Sequence, residues 1–532
     1  MNQIKINPER ILSDIDRNIF GGYMEFGPSA ARFKFIDVGE SPNAGKEALR
    51  SDIRGAIEKM NISNVRFPGG NFASGYRWMD GVGPRASRPA RHDLAWNRTE
   101  QNQFGTNEFM RFCRAFNIEP YLCANCGDGD MREAADWVEY CNGTGDTALV
   151  KLRRDHGFEA PHKVKYWGVG NEVDSPGQIG MKTPQEYARA FTEYSKVMKR
   201  VDPEIKLVAS LECHWEDRPL LPDFINNPTQ WVERAQLMLE QAGDRIDYIA
   251  IHRYAHAYYD EPFENYMAFA ESFSEHLDGV EGMIRAVSLE RGIKHNIGIA
   301  VDEWGNSPTS REMENRAPVN VVRDENGIMH VTDGGRGGFR RKDKWNVNLL
   351  DALVQSLHFN SFIRHAYSVR LANLPAMPWG AMGINFARID KPVLLQPTFF
   401  PFELYSRTCG KAALDVFWYG DTFSGTYKNR TYTGLRTLDV AATLDESRKQ
   451  MVVYVINQSK DKAMETTISL TGGQFTGKAR VSVFNGPDIM AENTDEKPNQ
   501  VGVKETDLKV TGKSFVYTFE PHSVTAILCG VS

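Results

Sequence analysis

A chain of 532 residues is longer than one sandwich or helix bundle needs, so its length predicts a large α/β unit joined to a smaller domain. With 25% charged and 41% hydrophobic residues the composition is globular, which excludes disorder, collagen and coiled coil as descriptions of the whole. Lys and Arg number 63 against 69 Asp and Glu, a net charge of −6 with no basic cluster interleaved with aromatics, and this argues against a nucleic-acid partner.

The first residues, MNQIKINPERILSDIDRNIFGG, place no apolar core behind a basic end, and no later run approaches the roughly 18 apolar residues of a spanning helix. Neither export nor a membrane partner is expected. Seven cysteines, an odd and scattered count, suit reduced thiols and a cytoplasmic location. Residues 1–16 are expected to form an N-terminal strand that joins a C-terminal sandwich. From 17 to 408 short apolar runs alternate with helical patterns, with strands expected at 19–26, 64–68, 120–125, 164–169, 206–210, 248–252, 297–302 and 368–373. Between the fourth and fifth, 183–201 reads as a helix: Thr183 caps it, Pro184 takes the first position and Glu186 closes a capping box. Tyr187, Phe191, Tyr194 and Met198 form its apolar face. Eight such units predict a (β/α)8 TIM barrel. The stretch 305–345 lacks periodicity and is expected to be a long loop. From 409 to 532, runs such as MVVYVINQS and SVTAILCG between Gly, Asp and Asn turns predict a β-sandwich.

Active-site groups of a barrel come from the C-terminal ends of its strands. The fourth strand runs into KYWGVGNEVD and the seventh into IGIAVDEWG, which brings Asn171 and Glu172 to the mouth together with Asp302 and Glu303. Two carboxylates across one pocket are what glycoside hydrolysis requires: one protonates the leaving oxygen and the other attacks or activates water. Arg66, from VRFPGGNF, is placed to keep a neighbouring carboxylate ionised, and Asn71 offers an amide that both donates to and accepts from sugar hydroxyls. His252 and Tyr254 alternate onto one side of the sixth strand, Glu25 ends the first, and Asn373 and Trp379 lie near the end of the eighth. Gly168-Val169-Gly170 lacks the third glycine of a dinucleotide fingerprint, and Cys123 and Cys126 have no second pair to complete a metal site, so neither cofactor nor metal is expected.

The runs NVRFPGGNFASGYRWMDGVGP, NQFGTNEFMRFCR, KYWGVGNEVD, IAIHRY, VDEW and RHAYSVRLANL, in this order, resemble glycoside hydrolase family 51, the α-L-arabinofuranosidases. The resemblance implies a barrel plus sandwich, retention of anomeric configuration and no required cofactor. It assigns Glu172 as general acid/base and Glu303 as nucleophile. It gives Glu25, Asn71, Asn171, Tyr254 and Gln396 to substrate binding or carboxylate orientation, with His252 and Trp96 in support. The implied reaction is release of terminal arabinofuranose from arabinose-containing oligosaccharides by a homo-oligomer, a hexamer in many relatives. The alternatives are a β-glucan or xylan specificity of the same family, or an idle sugar-binding protein. The chain departs from the family pattern at Phe26, where His is usual, and at Gly177, where many members carry Trp.

Overall fold

The computed structural model describes residues 2–25, 51–175, 177–212, 231–258, 261–309, 320–323, 329–332, 347–377, 382–384, 391–428 and 430–532. Phe26, Trp379 and Cys213 lie outside them. The chain opens with β1 (Asn2–Asp14), then β2 (Gly21–Met24), β3 (Asn64–Phe67) and a small hairpin of β4 (Arg91–Asp93) and β5 (Arg98–Glu100). There follow β6 (Glu119–Ala124), β7 (Tyr166–Val169), β8 (Lys206–Glu212), β9 (Tyr248–Tyr258) and β10 (Gly298–Thr309). A second hairpin, β11 (Asn320–Arg323) with β12 (Met329–Thr332), precedes β13 (Val369–Met377).

Strands β10-β13-β2-β3-β6-β7-β8-β9 close into a barrel in that order. Each neighbouring pair is parallel. All eight expected strands are barrel staves. Four run further than expected, β8, β9, β10 and β13; of these, β9 and β10 go on pairing past the barrel, Tyr254 to Tyr258 against Gly305 to Thr309. The stretch expected to be one long loop therefore begins as strand and also contains the β11–β12 hairpin. The helix Pro184–Val201 has the expected capping box: Thr183 N–H donates to Glu186 Oε2 at 2.8 Å and Glu186 N–H to Thr183 Oγ1 at 3.3 Å.

Inside the barrel, Tyr121, Tyr166, Val208, Ala250, Ala300 and Leu371 meet in one buried layer, a floor beneath the mouth. Near it β2 and β13 approach so closely that a Cβ on Gly21 would sit 2.6 Å from the Ala372 carbonyl oxygen, which accounts for glycine there. Asn373 belongs to this level. Its amide donates to Asn64 Oδ1 at 2.6 Å and to the Gly22 carbonyl at 2.8 Å, so it ties three staves together below the mouth rather than facing it. The sequence expectation had ended the eighth strand at this residue; β13 continues to Met377.

The remaining strands are β14 (Ala412–Tyr419), β15 (Thr422–Tyr427), β16 (Arg430–Arg436), β17 (Leu438–Leu444), β18 (Gln450–Asn457), β19 (Met464–Leu470), β20 (Phe475–Asn485), β21 (Gly502–Lys509), β22 (Ser514–Phe519) and β23 (Val524–Val531). β15 and β16 pair with each other in a separate hairpin, and the other eight join β1 in a nine-stranded sheet in the order β21-β20-β23-β18-β17-β14-β1-β19-β22, with β1 antiparallel to β14 and parallel to β19. Alternate residues from both ends of this sheet, among them Ile4, Val440, Val453, Val481 and Phe519, share one core, so the sheet curls over its own apolar face. No described helix is long and apolar enough to cross a membrane.

Candidate active site

The mouth of the barrel is organised around Arg66, a guanidinium 1% exposed at the end of β3. Its Nη1 donates to Glu303 Oε1 at 2.9 Å and its Nη2 to Asn171 Oδ1 at 2.6 Å, while Nε lies 3.3 Å from Asp302 Oδ2. One planar fork thus fixes the ends of β7 and β10 against β3. Glu303 Oε2 also accepts from the Tyr254 hydroxyl at 3.0 Å and from the Tyr23 hydroxyl at 3.4 Å. His252 bridges the two acidic ends: Nδ1 is 2.9 Å from Glu172 Oε1 and Nε2 is 3.0 Å from Asp302 Oδ1.

Asp302 and Glu303 are adjacent in β10, and side chains of adjacent strand residues normally point to opposite faces. Both nevertheless contact groups at the mouth. The reason is a bulge: Ala300 pairs with Ala250 but Glu303 with His252, so β10 carries one extra residue over this interval. Glu172 reaches the mouth by a different device. It follows β7 in a turn where its φ is +43°, a left-handed conformation that costs a non-glycine residue energy and is found where function holds a side chain in place.

Glu25 continues from β2 and accepts at Oε1 from the Phe72 N–H at 3.3 Å and from the Trp96 indole N–H at 3.2 Å. Gly70 makes room for it: φ is +56°, and a Cβ there would lie 2.1 Å from the Glu25 carboxyl carbon. Asn71 follows, its Oδ1 accepting from Gln178 Nε2, and the same nitrogen donates to Glu172 Oε2 at 3.1 Å. The buried Asn171 amide nitrogen has no partner among the described residues and is free to donate to a ligand.

The charges follow from burial and pairing. Burial alone would push the His252 ring down, but Glu303, Asp302 and Glu172 outweigh it, and the pKa stands well above the ordinary histidine value. Asp302 resists burial through Arg66, His252 and Tyr121 and is held below the usual carboxylate range. Glu25 is pushed up to about 8, first by burial and then by Glu303, so it is largely neutral at pH 7. For Glu303 the sequence reading has Arg66 keeping the group ionised; burial and the charge of Glu172 raise it further than His252 and Arg66 lower it, and the balance is upward. Two cations, Arg66 and the His252 imidazolium, therefore face the acids Asp302, Glu172 and Glu303.

A carboxylate oxygen of Glu172, one of Glu303 and a ring nitrogen of His252 lie within 4.8 Å of one another. Ligand atoms so placed could take up a metal ion, but the guanidinium and the protonated ring compete for the same oxygens.

Of the residues named from sequence, Arg66, Asn71, Asn171, Glu172, His252, Tyr254 and Glu303 are joined in this polar network, and Glu25 and Trp96 form a pair beside it, held by the Phe72 N–H next to Asn71. Gln396 is not joined to it by any contact among the described residues; its Nε2 donates to the Asn493 carbonyl of the sheet domain at 3.1 Å. Sequence reasoning missed Tyr23, Tyr121 and Gln178. Tyr23 lies two residues before Glu25 and Tyr121 two before Cys123, so strand alternation carried a signal for both. Gln178 sits in an irregular turn, where spacing carries none.

The family descriptions α-L-arabinofuranosidase 1 domain and α-L-arabinofuranosidase C-terminal domain match residues 56–275 and 302–523. α-L-arabinofuranosidase C of Emericella nidulans is 32% identical over 98% of this chain and 96% of its own. The chain belongs to glycoside hydrolase family 51. It is also 30% identical to the intracellular exo-α-(1→5)-L-arabinofuranosidase 1 of Bacillus subtilis, over 98% of this chain and 97% of that one. The solved GH51 α-L-arabinofuranosidase of Thermotoga petrophila aligns at a TM-score of 0.82 with 30% identity, covering 99% of this chain and 100% of that structure. As a member of this family the protein is a glycoside hydrolase.

Proposed function

We propose that the protein is a retaining, exo-acting α-L-arabinofuranosidase that releases terminal arabinofuranose from short oligosaccharides. The observation that carries the mechanism is the short approach of Glu172 to Glu303, with one oxygen of each within 4.8 Å. Retaining enzymes hold their carboxyls about 5–5.5 Å apart, whereas inverting ones need roughly 6.5–9.5 Å to admit a water between them.

Glu303 is the nucleophile. It receives Arg66 and two phenolic donors, which favour its ionised form over that of Glu172. Glu172 starts protonated and gives its proton to the leaving oxygen as Glu303 attacks the anomeric carbon; it then takes a proton from the water that releases the sugar. The free Asn171 amide, the largely neutral Glu25 carboxyl and Asn71 supply donors for the furanose hydroxyls. Substrate class and exo action rest on family membership and on the printed name of the Bacillus relative. That name and the unpaired state of the described cysteines support a cytoplasmic location.

The experiment is a panel of nitrophenyl pentosides and hexosides, with the anomer first released followed by proton NMR. α-L-arabinofuranoside should be the best substrate and its configuration should be kept. A better rate on any hexoside would refute the specificity, and an inverted first product would refute the mechanism.

A further inference from the structure

Gln178 is used by none of the steps above, yet it is the only described side chain that touches both a glycone-binding amide and the acid/base carboxyl. It follows Glu172 by six residues in a turn that folds back on itself: the Ser175 N–H donates to the Glu172 carbonyl at 2.8 Å, the Gln178 N–H to the Ser175 carbonyl at 2.9 Å, and the Lys182 N–H to the Val173 carbonyl at 2.7 Å. The residue is 7% exposed, and both its amide protons and its amide oxygen are engaged. Oε1 accepts from the buried Ser74 hydroxyl at 3.1 Å; Nε2 donates one proton to Glu172 Oε2 at 3.1 Å and the other to Asn71 Oδ1. In this orientation the amide turns its protons to Glu172 Oε2 and Asn71 Oδ1 and its oxygen to the Ser74 hydroxyl.

We propose that Gln178 is a positioning residue for acid/base catalysis, holding the Glu172 carboxyl and the Asn71 amide in one frame anchored by Ser74. The proposal rests on the reading of Glu172 as acid/base. Two consequences follow from the bonds. An N–H donor on Oε2 favours the ionised Glu172 that forms when its proton passes to the leaving oxygen, so it makes the group a stronger acid and meets the charge as it appears. With its carbonyl oxygen occupied, Asn71 has its amide nitrogen to offer a sugar hydroxyl. The hydroxyl of Ser74 comes from the turn after β3 and Glu172 from the turn after β7, so the frame joins two staves that the barrel alone holds only through β6.

The test uses the full-length enzyme and the variants Gln178→Met, Ser74→Ala and Glu172→Gln on two arabinofuranosides, one with a dinitrophenol leaving group and one with unsubstituted phenol. Gln178→Met keeps the length of the side chain and removes the donor. Its kcat/KM should fall about tenfold or more on the phenyl glycoside but only a few-fold on the activated one, since proton donation matters for the poor leaving group alone. Loss of a bond to the charged form raises the pKa of Glu172, so the alkaline limb for the phenyl glycoside should move upward by about half to one pH unit. Ser74→Ala should give a smaller change in the same sense, and it decides the matter where Gln178→Met does not fold. Equal losses on both substrates with an unmoved limb in both variants would overturn the proposal. Glu172→Gln separates the two levels: its kcat/KM, which reports the first step, should fall severely on the phenyl glycoside only, and a variant whose kcat/KM fell alike on both substrates would refute the acid/base reading itself.

Discussion

Burial drives the Glu303 carboxyl toward its neutral form, and Arg66 opposes it from 2.9 Å. Arg66→Ala should therefore raise the Glu303 pKa further. Because a protonated nucleophile is inactive, the acid limb of the pH–rate profile should move to higher pH while the alkaline limb moves less. Steady-state rates across pH on the activated glycoside check this, and an unmoved acid limb in a folded variant would confine Arg66 to a structural role. At this scale much of the site was readable. Arg66, Asn71 and Glu172 sit at or just after strand ends, and His252 and Glu303 just before β9 and β10 run on past the barrel, the level at which a parallel barrel must place its working groups. What could not be read is the net sign of the shift on Glu303. It depends on the simultaneous presence of Glu172, His252 and Arg66 around one buried carboxyl, a three-dimensional sum that no spacing encodes.

Strand existence and order were legible because each stave is a short apolar run between turn signals. Strand ends were less so. The bulge that brings both Asp302 and Glu303 to the mouth leaves no mark in the apolar pattern, since the displaced interval reads simply as VDEW. A similar irregularity in β8, between Ser210 and Glu212, has a visible support: the Ser210 N–H donates to the Tyr187 hydroxyl at 2.8 Å, and that hydroxyl donates to the Val169 carbonyl at 2.6 Å. The helix Pro184–Val201 thus pins the end of β7 two residues before Asn171. Tyr187→Phe would leave a buried N–H and a buried carbonyl without this partner, at a cost of roughly 1–3 kcal/mol. A lowered unfolding midpoint with a fall in kcat through the displaced Glu172 is expected; unchanged stability would mean the bridge is dispensable.

Across the whole molecule the barrel and the sheet share the helix Leu349–Arg364, whose residues from Leu349 to Ile363 are all buried. Its first N–H groups donate to the sheet domain, Leu349 to the Ala491 carbonyl at 2.9 Å and Leu350 to that of Ile489 at 2.8 Å. Asn360 and Arg364 both donate to Asp439 Oδ1, at 2.6 and 2.9 Å, and Tyr405 stacks on Tyr454 at 4.2 Å. A chain ending at residue 408 would expose this helix and orphan those groups. It should fail to give a soluble, monodisperse product, and a truncated chain with native thermal stability would show the sheet to be an independent attachment. The run 349–363 mixes Leu, Val and Phe with Asp351, Gln355, His358 and Asn360 around the whole helix, so the sequence shows no preferred face and does not tell which domain covers it.

The division of labour between Glu172 and Glu303 is tested most directly by azide rescue of Glu172→Ala and Glu303→Ala on an aryl arabinofuranoside with an acidic phenol. In Glu172→Ala the first step should survive, and azide should fill the space left by the carboxylate and attack the glycosyl-enzyme, giving a glycosyl azide of retained configuration. In Glu303→Ala azide replaces the nucleophile itself, so any product should be inverted. Retained azide from Glu172→Ala beside inverted azide from Glu303→Ala is the predicted result, and the opposite pairing of products would contradict it.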